Sequence, residues 1–392
     1  MSNRGDPAFS DRHAWAVIAG GGTGGHVYPG LAVADVLAGD TSSARPVHFV
    51  VSRRDLDSEI VAAAGYAATA VSARGFRRRL TAANLVSACA LAQGVWQCWR
   101  VLGHTSPRVV LAQGGYVSAA CALAARLRGI PVVVLEANAV PGAANRLAAR
   151  WAVACAVAFE SARLGRAVPT GLPVRAAIAT LHPSSGDQAT PGNGRAAARA
   201  ALGVSDGRRL VLVTGGSQGS GHLNAAARQA CDLLADRADL AVRHVLGRAG
   251  AGLKRPAPDR DPGSGLHYEA VPYEHDMAGA LAAADLVVSR AGGSALAELA
   301  MAGRASVLVP MPGAADDHQT ANAAAVAAAG AAVAIPESEL DGPRLAETIS
   351  DLLADPDSLD RMHEAAAGLG EPGAARRVAG LLLSAAGEGA GT

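Results

Sequence analysis

Val17-Ile18-Ala19-Gly20-Gly21-Gly22-Thr23-Gly24-Gly25-His26 runs from a short apolar strand into a glycine cluster that opens a helix. Leu210-Val211-Leu212-Val213-Thr214-Gly215-Gly216-Ser217-Gln218-Gly219 repeats the device in the second half. Glycines let the backbone turn sharply and approach an anion closely, and the free N–H groups and positive dipole end of the following helix favour a pyrophosphate. One copy would suggest a single dinucleotide domain; two copies predict two facing domains with a cleft between them.

Working outward from Val17, strand-like and helix-like runs alternate: Trp15–Ala19, Gly30–Leu37, Val47–Ser52, Ser58–Ala64, Val109–Ala112, Ser118–Arg126, Val132–Leu135 and Ala143–Ala152. This is the pattern of a doubly wound parallel sheet, whose strands, covered on both faces, read as unbroken apolar runs. The pattern restarts at Leu210–Thr214 and continues through Leu223–Ala235, Val242–Leu246, Met277–Ala284, Leu286–Ser289, Ser294–Met301, Ser306–Val309 and Gln319–Ala329. The stretch HPSSGDQATPGNG, residues 182–194, has the composition of a linker. The expected organisation is therefore a first α/β domain over 13–181, a linker over 182–208 and a second α/β domain over 209–369. A helix within 370–392 would pack back on the first domain, with a frayed end.

At 392 residues the chain is long enough for two cores, and its net charge of +1 gives no argument for a nucleic-acid partner. The five cysteines are scattered, with no Cys-x-x-Cys pair, and read as small buried hydrophobes. Residues 1–12 lack the apolar run of a secretory signal. The uncharged run Leu80–Trp99 is interrupted by Thr81, Asn84, Ser87, Gln93 and Gln97, which argues against a membrane span. Together with Phe76-Arg77-Arg78-Arg79 before it and Arg100 after it, the run reads either as a surface for anionic lipid or as a buried helix.

Gly20 to Gly25 also satisfies the dinucleotide fingerprint G-x-G-x-x-G. Ser52-Arg53-Arg54 stands where NAD would need a carboxylate, so only an NADP-dependent oxidoreductase stays open, and the second glycine loop is redundant for it. His26 begins the first helix, where the dipole favours its neutral form; it is either a base or a cap. Glu298, on the first turns of a helix after a third glycine turn, could accept two hydrogen bonds from a ribose diol or merely complement the dipole. Asp316-Asp317-His318 cannot all aim at one ion without strain, so no metal site is expected.

Together these motifs resemble the MurG family of bacterial N-acetylglucosaminyltransferases. The resemblance is carried by Gly21 to Ala32, Gly114-Gly115-Tyr116-Val117-Ser118, Thr170 to Arg175, Gly215 to Gly219 and the block Asp276 to Glu298. It implies a GT-B fold of two Rossmann-like domains and inverting transfer of N-acetylglucosamine from UDP-N-acetylglucosamine to a polyprenyl-diphosphate-linked muramyl peptide, with no cofactor. It also implies peripheral attachment to anionic lipid on the cytoplasmic face of the plasma membrane. By position, Ser217 would meet the donor diphosphate, Arg175 and the backbone near Glu274 the base, Gly293, Ser294, Ala295, Leu296 and Ala297 the nucleotide, and Glu298 the ribose. Asn138 and Gln319 would hold the sugar; Thr23, Gly24 and Gly25 would face the sugar and the acceptor diphosphate, beside Gly22, Gly114, Gly115 and Tyr116; His26 would be the base. The chain departs from the family at Leu135, Ala137, Leu172, Glu274 and Gly293-Ser294. A paralogue with another lipid or natural-product acceptor is one alternative, and a regulator that binds nucleotide-sugar without turnover is another.

Overall fold

The computed structural model describes residues 13–21, 24–39, 45–53, 55–72, 82–183, 191–250 and 265–388. They fall into two compact units, Met1–Arg175 with Gly373–Thr392, and Ala176–Pro372.

In the first unit the elements run β1 (Ala16–Ala19), α1 (Gly24–Ala38), β2 (Val47–Ser52), α2 (Asp55–Ala63), β3 (Ala67–Val71), α3 (Ala82–Thr105), β4 (Val109–Ala112), α4 (Gly115–Leu127), β5 (Val132–Glu136), α5 (Ala143–Ala148), β6 (Ala154–Val157) and β7 (Ala167–Pro169). The sheet has the order β3-β2-β1-β4-β5-β6-β7 and every pairing is parallel. Val17 stands between His48 and Val110 in register, and β1, β4 and β5 are buried along their whole length. That accounts for their unbroken apolar sequences. Helix α1 begins at Gly24, earlier than the expected Gly30, and carries Pro29 inside it. Pro29 stands past the first turn, and its missing N–H deprives one carbonyl of that turn of its donor.

The second unit runs α6 (Ala176–Ala179), α7 (Pro191–Ala201), β8 (Arg209–Thr214), α8 (Gly221–Leu233), β9 (Leu240–Val245), β10 (His267–Val271), α9 (Met277–Ala283), β11 (Leu286–Ser289), α10 (Gly293–Met301), β12 (Ser306–Leu308), α11 (His318–Ala328), β13 (Ala332–Ala334), α12 (Gly342–Ala354) and α13 (Pro356–Gly368). Its order, β10-β9-β8-β11-β12-β13, is again all parallel. Both sheets therefore follow the Rossmann order and reverse direction once, between β1 and β4 and between β8 and β11. Residues 191–201, part of the stretch that reads as a linker, form α7. Its Arg195 and Arg199, with Arg209 and the Leu210 N–H, hold the buried carboxylate of Asp285 at 2.7–3.2 Å. Pro and Gly composition therefore misreads a helix that is anchored by ion pairs to a distant residue.

The last helix, α14 (Ala374–Ala385), belongs to the first unit and packs on α1 and on β4, β5 and β6. Arg377 donates from Nε and Nη2 to the Thr170 carbonyl at 3.1 and 2.8 Å. Beyond it, Glu388 accepts from Trp15 Nε1, Arg45 and Arg108. Cys98, Cys121 and Cys155 are buried in the core and Cys231 is partly so.

Candidate active site

Ligands of open α/β sheets lie outside the carboxyl ends of the strands at the reversal of strand order. In the first unit that position is occupied by the turns after β1 and β4, and they touch. A Cβ on Gly115, whose φ is +78°, would meet the Gly21 carbonyl oxygen at 2.8 Å, and one on Gly21 would meet the Ser52 N–H at 2.7 Å. The contact between the two turns requires glycine at 115, and the packing of Gly21 on Ser52 at the end of β2 requires it at 21. The Gly114 N–H donates to Ser118 Oγ at 3.1 Å, and Tyr116 is exposed at the start of α4. Gly24, Gly25 and His26 form the first turn of α1, though the His26 side chain, like Gly22 and Thr23, lies outside the described residues. Arg175 lies over the ring of Tyr28, 4.6 Å from its centroid.

After β5, Asn138 is held by a residue the sequence did not single out. Glu136 is 1% exposed. One of its carboxylate oxygens accepts the Asn138 backbone N–H at 2.9 Å and Asn138 Nδ2 at 3.0 Å; the other accepts the Gly142 N–H at 3.0 Å and Asn145 Nδ2 at 2.9 Å. A buried carboxylate is tolerated because both oxygens are saturated with donors. Leu135, Ala137 and Leu172, where the chain departs from the resembled family, are buried, so those departures alter packing beneath the site.

In the second unit the turn after β8 carries Ser217 between Gly216 and Gly219, both with positive φ. Ser220 caps α8 by accepting the Leu223 N–H at 3.2 Å. Arg290, in the turn after β11, reaches Ser220 Oγ at 2.6 Å, the carbonyls of Val309 and Pro310 at 3.2 and 3.1 Å, and the Glu337 carboxylate. One guanidinium thus ties the turns after β8, β11, β12 and β13, and its role was invisible in sequence because its partners lie far apart in the chain. Helix α10 starts at Gly293 with no side chain capping its N-terminus; Ser294, Ala295 and Leu296 make its first turn, then Ala297 and a half-buried Glu298. The N-terminal end of a helix dipole suits an anion.

Gln319 is buried at the start of α11, where its Oε1 accepts the Met311 N–H at 2.9 Å, and Asn322 Nδ2 donates to the Ala291 carbonyl at 3.0 Å. Asp316 and Asp317, just before it, both adopt left-handed backbone at φ 54° and 53°, a strained conformation of the kind that clusters at ligand sites. Among the described residues no group of metal-ligating side chains comes together. The buried Glu274 carboxylate is taken up by Arg243 and the Asp276 N–H.

Known proteins match the chain along nearly its whole length. Residues 16–157 match the glycosyltransferase family 28 N-terminal domain and residues 210–378 the family 28 C-terminal domain. The chain is 38% identical to the UDP-N-acetylglucosamine--N-acetylmuramyl-(pentapeptide) pyrophosphoryl-undecaprenol N-acetylglucosamine transferase of Salinibacter ruber, over 96% of this chain and 98% of that one. It is 39% identical to the protein of the same name from Alkalilimnicola ehrlichii, over 94% and 98%. Among solved structures it resembles Acinetobacter baumannii MurG, with a TM-score of 0.69 and 28% identity over 94% of this chain and 99% of that one. A UDP-GlcNAc 2-epimerase from Neisseria meningitidis shares the fold at 15% identity, covering 94% and 99%, with a TM-score of 0.65.

Proposed function

The chain belongs to the MurG family within glycosyltransferase family 28, and from that membership we propose that it transfers N-acetylglucosamine from UDP-N-acetylglucosamine to a polyprenyl-diphosphate-linked muramyl peptide in peptidoglycan synthesis. The observation that carries the reading is the near-full-length identity to transferases of that name. The burial of Leu135, Ala137 and Leu172 favours the same acceptor over that of a divergent paralogue, because those side chains are not the surface an acceptor would meet.

In this reading the donor lies on the second unit. The Ser217 turn and the α10 N-terminus receive the diphosphate, Glu298 the ribose hydroxyls, and the backbone of Glu274 the uracil, with Arg175 also at the base. Asn138 and Gln319 hold the sugar, Gln319 through the amide NH2 that its Met311 contact leaves over. Gly22 to Gly25, Gly114, Gly115 and Tyr116 receive the acceptor and its diphosphate. The acceptor hydroxyl attacks the anomeric carbon from the face opposite UDP while His26 takes its proton. The bond from that carbon to the diphosphate oxygen breaks, and its electron pair leaves on UDP, where backbone N–H groups stabilise the charge.

No helix among the described residues is long and apolar enough to cross a membrane. Peripheral attachment at the cytoplasmic face is supported by α3, where Trp96 and Trp99 are 56% and 44% exposed. Arg100 lies over the Trp96 ring and Arg128 over the Trp99 ring, at 5.0 and 3.9 Å from the centroids, and Leu127 is exposed nearby in sequence to Arg128. Tryptophan and arginine together suit the headgroup region of an anionic bilayer. That exposure argues against reading the end of the run as a buried helix. Phe76, Arg77, Arg78 and Arg79 lie outside the described residues.

The transfer is tested by UDP release. It should appear on adding the lipid-linked muramyl peptide to protein and UDP-N-acetylglucosamine, and release indifferent to that acceptor would contradict the reading.

A further inference from the structure

At the amino ends of β8 and β11, the opposite end of the second sheet from the Ser217 turn, three arginines converge on one buried carboxylate. One oxygen of Asp285 accepts Arg195 Nη2 at 2.7 Å and Arg209 Nη1 at 3.2 Å. The other accepts Arg199 Nη1 at 3.2 Å and the Leu210 N–H at 2.7 Å. Because β8 is six residues long, at ~3.3 Å per residue the cluster lies roughly 20 Å from the turn that follows the strand.

One ion pair would hold α7 on the sheet, yet three guanidiniums share this carboxylate and a fourth stands beside them. Arg304, in the turn before β12, donates from Nη1 to the carbonyl of Ala284, the residue next to Asp285, at 3.2 Å. Its Nε is buried and has no hydrogen-bond partner among the described residues, which is costly for a charged donor. Burial first, and the charge of Arg195 second, push that guanidinium down to about 10 against the pull of Asp285, so an anion close by would stabilise it. The other acids on this side do not balance the cluster. Asp239 is taken up by Arg237 through two bonds of 2.7 Å, and Asp360 on α13 acts on His363, whose Nδ1 accepts the Ala305 N–H at 3.0 Å. Even with Asp360 counted, four guanidiniums leave an excess of positive charge. Arg195 and Arg209, with side chains 36% and 45% exposed, make no other hydrogen bond among the described residues, so most of their N–H groups remain for a ligand.

We propose that Arg195 and Arg209, with the charge of Arg304 added to theirs, form a second anion site of this protein, one that takes a phosphate group at the amino ends of β8 and β11. Asp285 pre-forms it: by fixing one nitrogen of each arginine on the same oxygen, it holds two planar forks side by side. A fork matches a pair of phosphate oxygens, and a tetrahedral dianion presents such a pair to each guanidinium, whereas a planar carboxylate presents only one. The dianion also supplies the counter-charge that Asp285 alone does not. Its source is either a soluble phosphate or the phosphomonoester head of a lipid, since the arginines meet the same oxygens in both. The site stands apart from the sugar transfer and does not rest on that reading.

The experiment is calorimetric titration of sodium phosphate, at an ionic strength held constant with sodium chloride, and flotation with phosphatidic acid vesicles. Both are run on the wild type, on Arg195→Gln with Arg209→Gln, and on Arg195→Lys with Arg209→Lys, with UDP present to fill the Ser217 turn. The Gln variant keeps Arg199 and the Leu210 N–H on Asp285, and Arg209→Gln alone replaces it if the pair of changes lowers the melting temperature too far. Phosphate should bind the wild type, and its affinity should fall by about tenfold for each guanidinium lost. The Lys variant should fall between, because lysine keeps the charge without the fork. UDP affinity should be that of the wild type throughout. Phosphate binding that the Gln variant loses, with vesicle recovery unchanged, supports the site and identifies a soluble ion as its ligand. Vesicle recovery that the Gln variant loses, without binding of sodium phosphate, supports it with the lipid head as ligand. A wild type that binds neither, or a folded Gln variant that matches the wild type in both, overturns the proposal and leaves the arginines as anchors of α7.

Discussion

Glu136 holds Asn138 twice through a single carboxylate oxygen, once by the backbone N–H at 2.9 Å and once by the side-chain amide at 3.0 Å. The side chain that would meet the sugar is thus oriented from below by a group that never reaches the ligand. Replacing Glu136 by Gln substitutes an NH2 for one of the two acceptor oxygens and confronts an N–H donor with another donor. Loss of a charge-assisted hydrogen bond is worth ~1.5–3 kcal/mol. Glu136→Gln should therefore lower kcat/KM for UDP-N-acetylglucosamine by roughly ten- to a hundredfold while UDP affinity changes little. Equal loss of UDP and UDP-sugar binding would show that Glu136 serves the fold alone.

Glu298 lies on α10, whose first turn has no side-chain cap. Glu298→Ala should weaken UDP by about ten- to a hundredfold, the range for charge-assisted bonds to a diol, and leave the melting temperature near that of the wild type. Calorimetry with unchanged UDP affinity would return Glu298 to the role of complementing the helix dipole.

Trp96 and Trp99 are each stacked with an arginine on an exposed helix face. Flotation with vesicles containing anionic lipid should recover the protein, and Trp96→Ala with Trp99→Ala should reduce recovery. Raising salt should reduce it too, by screening the arginine contribution. Binding indifferent to both changes counts against this face.

His244 is fully buried between Tyr268 Oη and Asn224 Oδ1, at 2.9 and 3.1 Å, and so links α8, which follows the diphosphate turn, to β9 and β10. Burial first, and the positive charge of Arg228 second, push its imidazole down to about 4. The unfolded chain takes up this proton near the ordinary histidine value and the folded chain only near 4. Stability from the neutral ring is thus complete above about 6.5 and is lost as pH falls towards 4, on the order of 3 kcal/mol at ~1.4 kcal/mol per unit. Urea midpoints between pH 7 and 4 should decline less steeply in His244→Gln; parallel slopes would contradict this assignment.

The turns and central strands could be read in the sequence because they are locally encoded: strands buried on both faces, such as Ala16–Ala19 and Val109–Ala112, read as unbroken apolar runs, and a glycine turn follows each. The edge strands Ala67–Val71, Ala167–Pro169 and Ala332–Ala334 escaped the reading because they are short, partly exposed and rich in alanine. Helices Gly342–Ala354 and Pro356–Gly368 lie beyond the last glycine turn and carry no motif. Within the proposed site, the glycine turns and Glu298 stood out by motif, whereas Glu136, Arg243 and Arg290 did not. Their roles depend on which distant backbone groups the fold brings to them, as Arg290 shows by joining Ser220 to Pro310 and Glu337.

Product analysis tests the central claim most directly. The protein is incubated with UDP-N-acetylglucosamine and the polyprenyl-diphosphate-linked muramyl peptide, and the lipid product is characterised by mass spectrometry and by its anomeric coupling. Opposite-face attack with His26 as base predicts one added N-acetylglucosamine in β linkage, with UDP released in equal amount. An α linkage, or no disaccharide from this acceptor with transfer to another lipid or small molecule, would contradict the account.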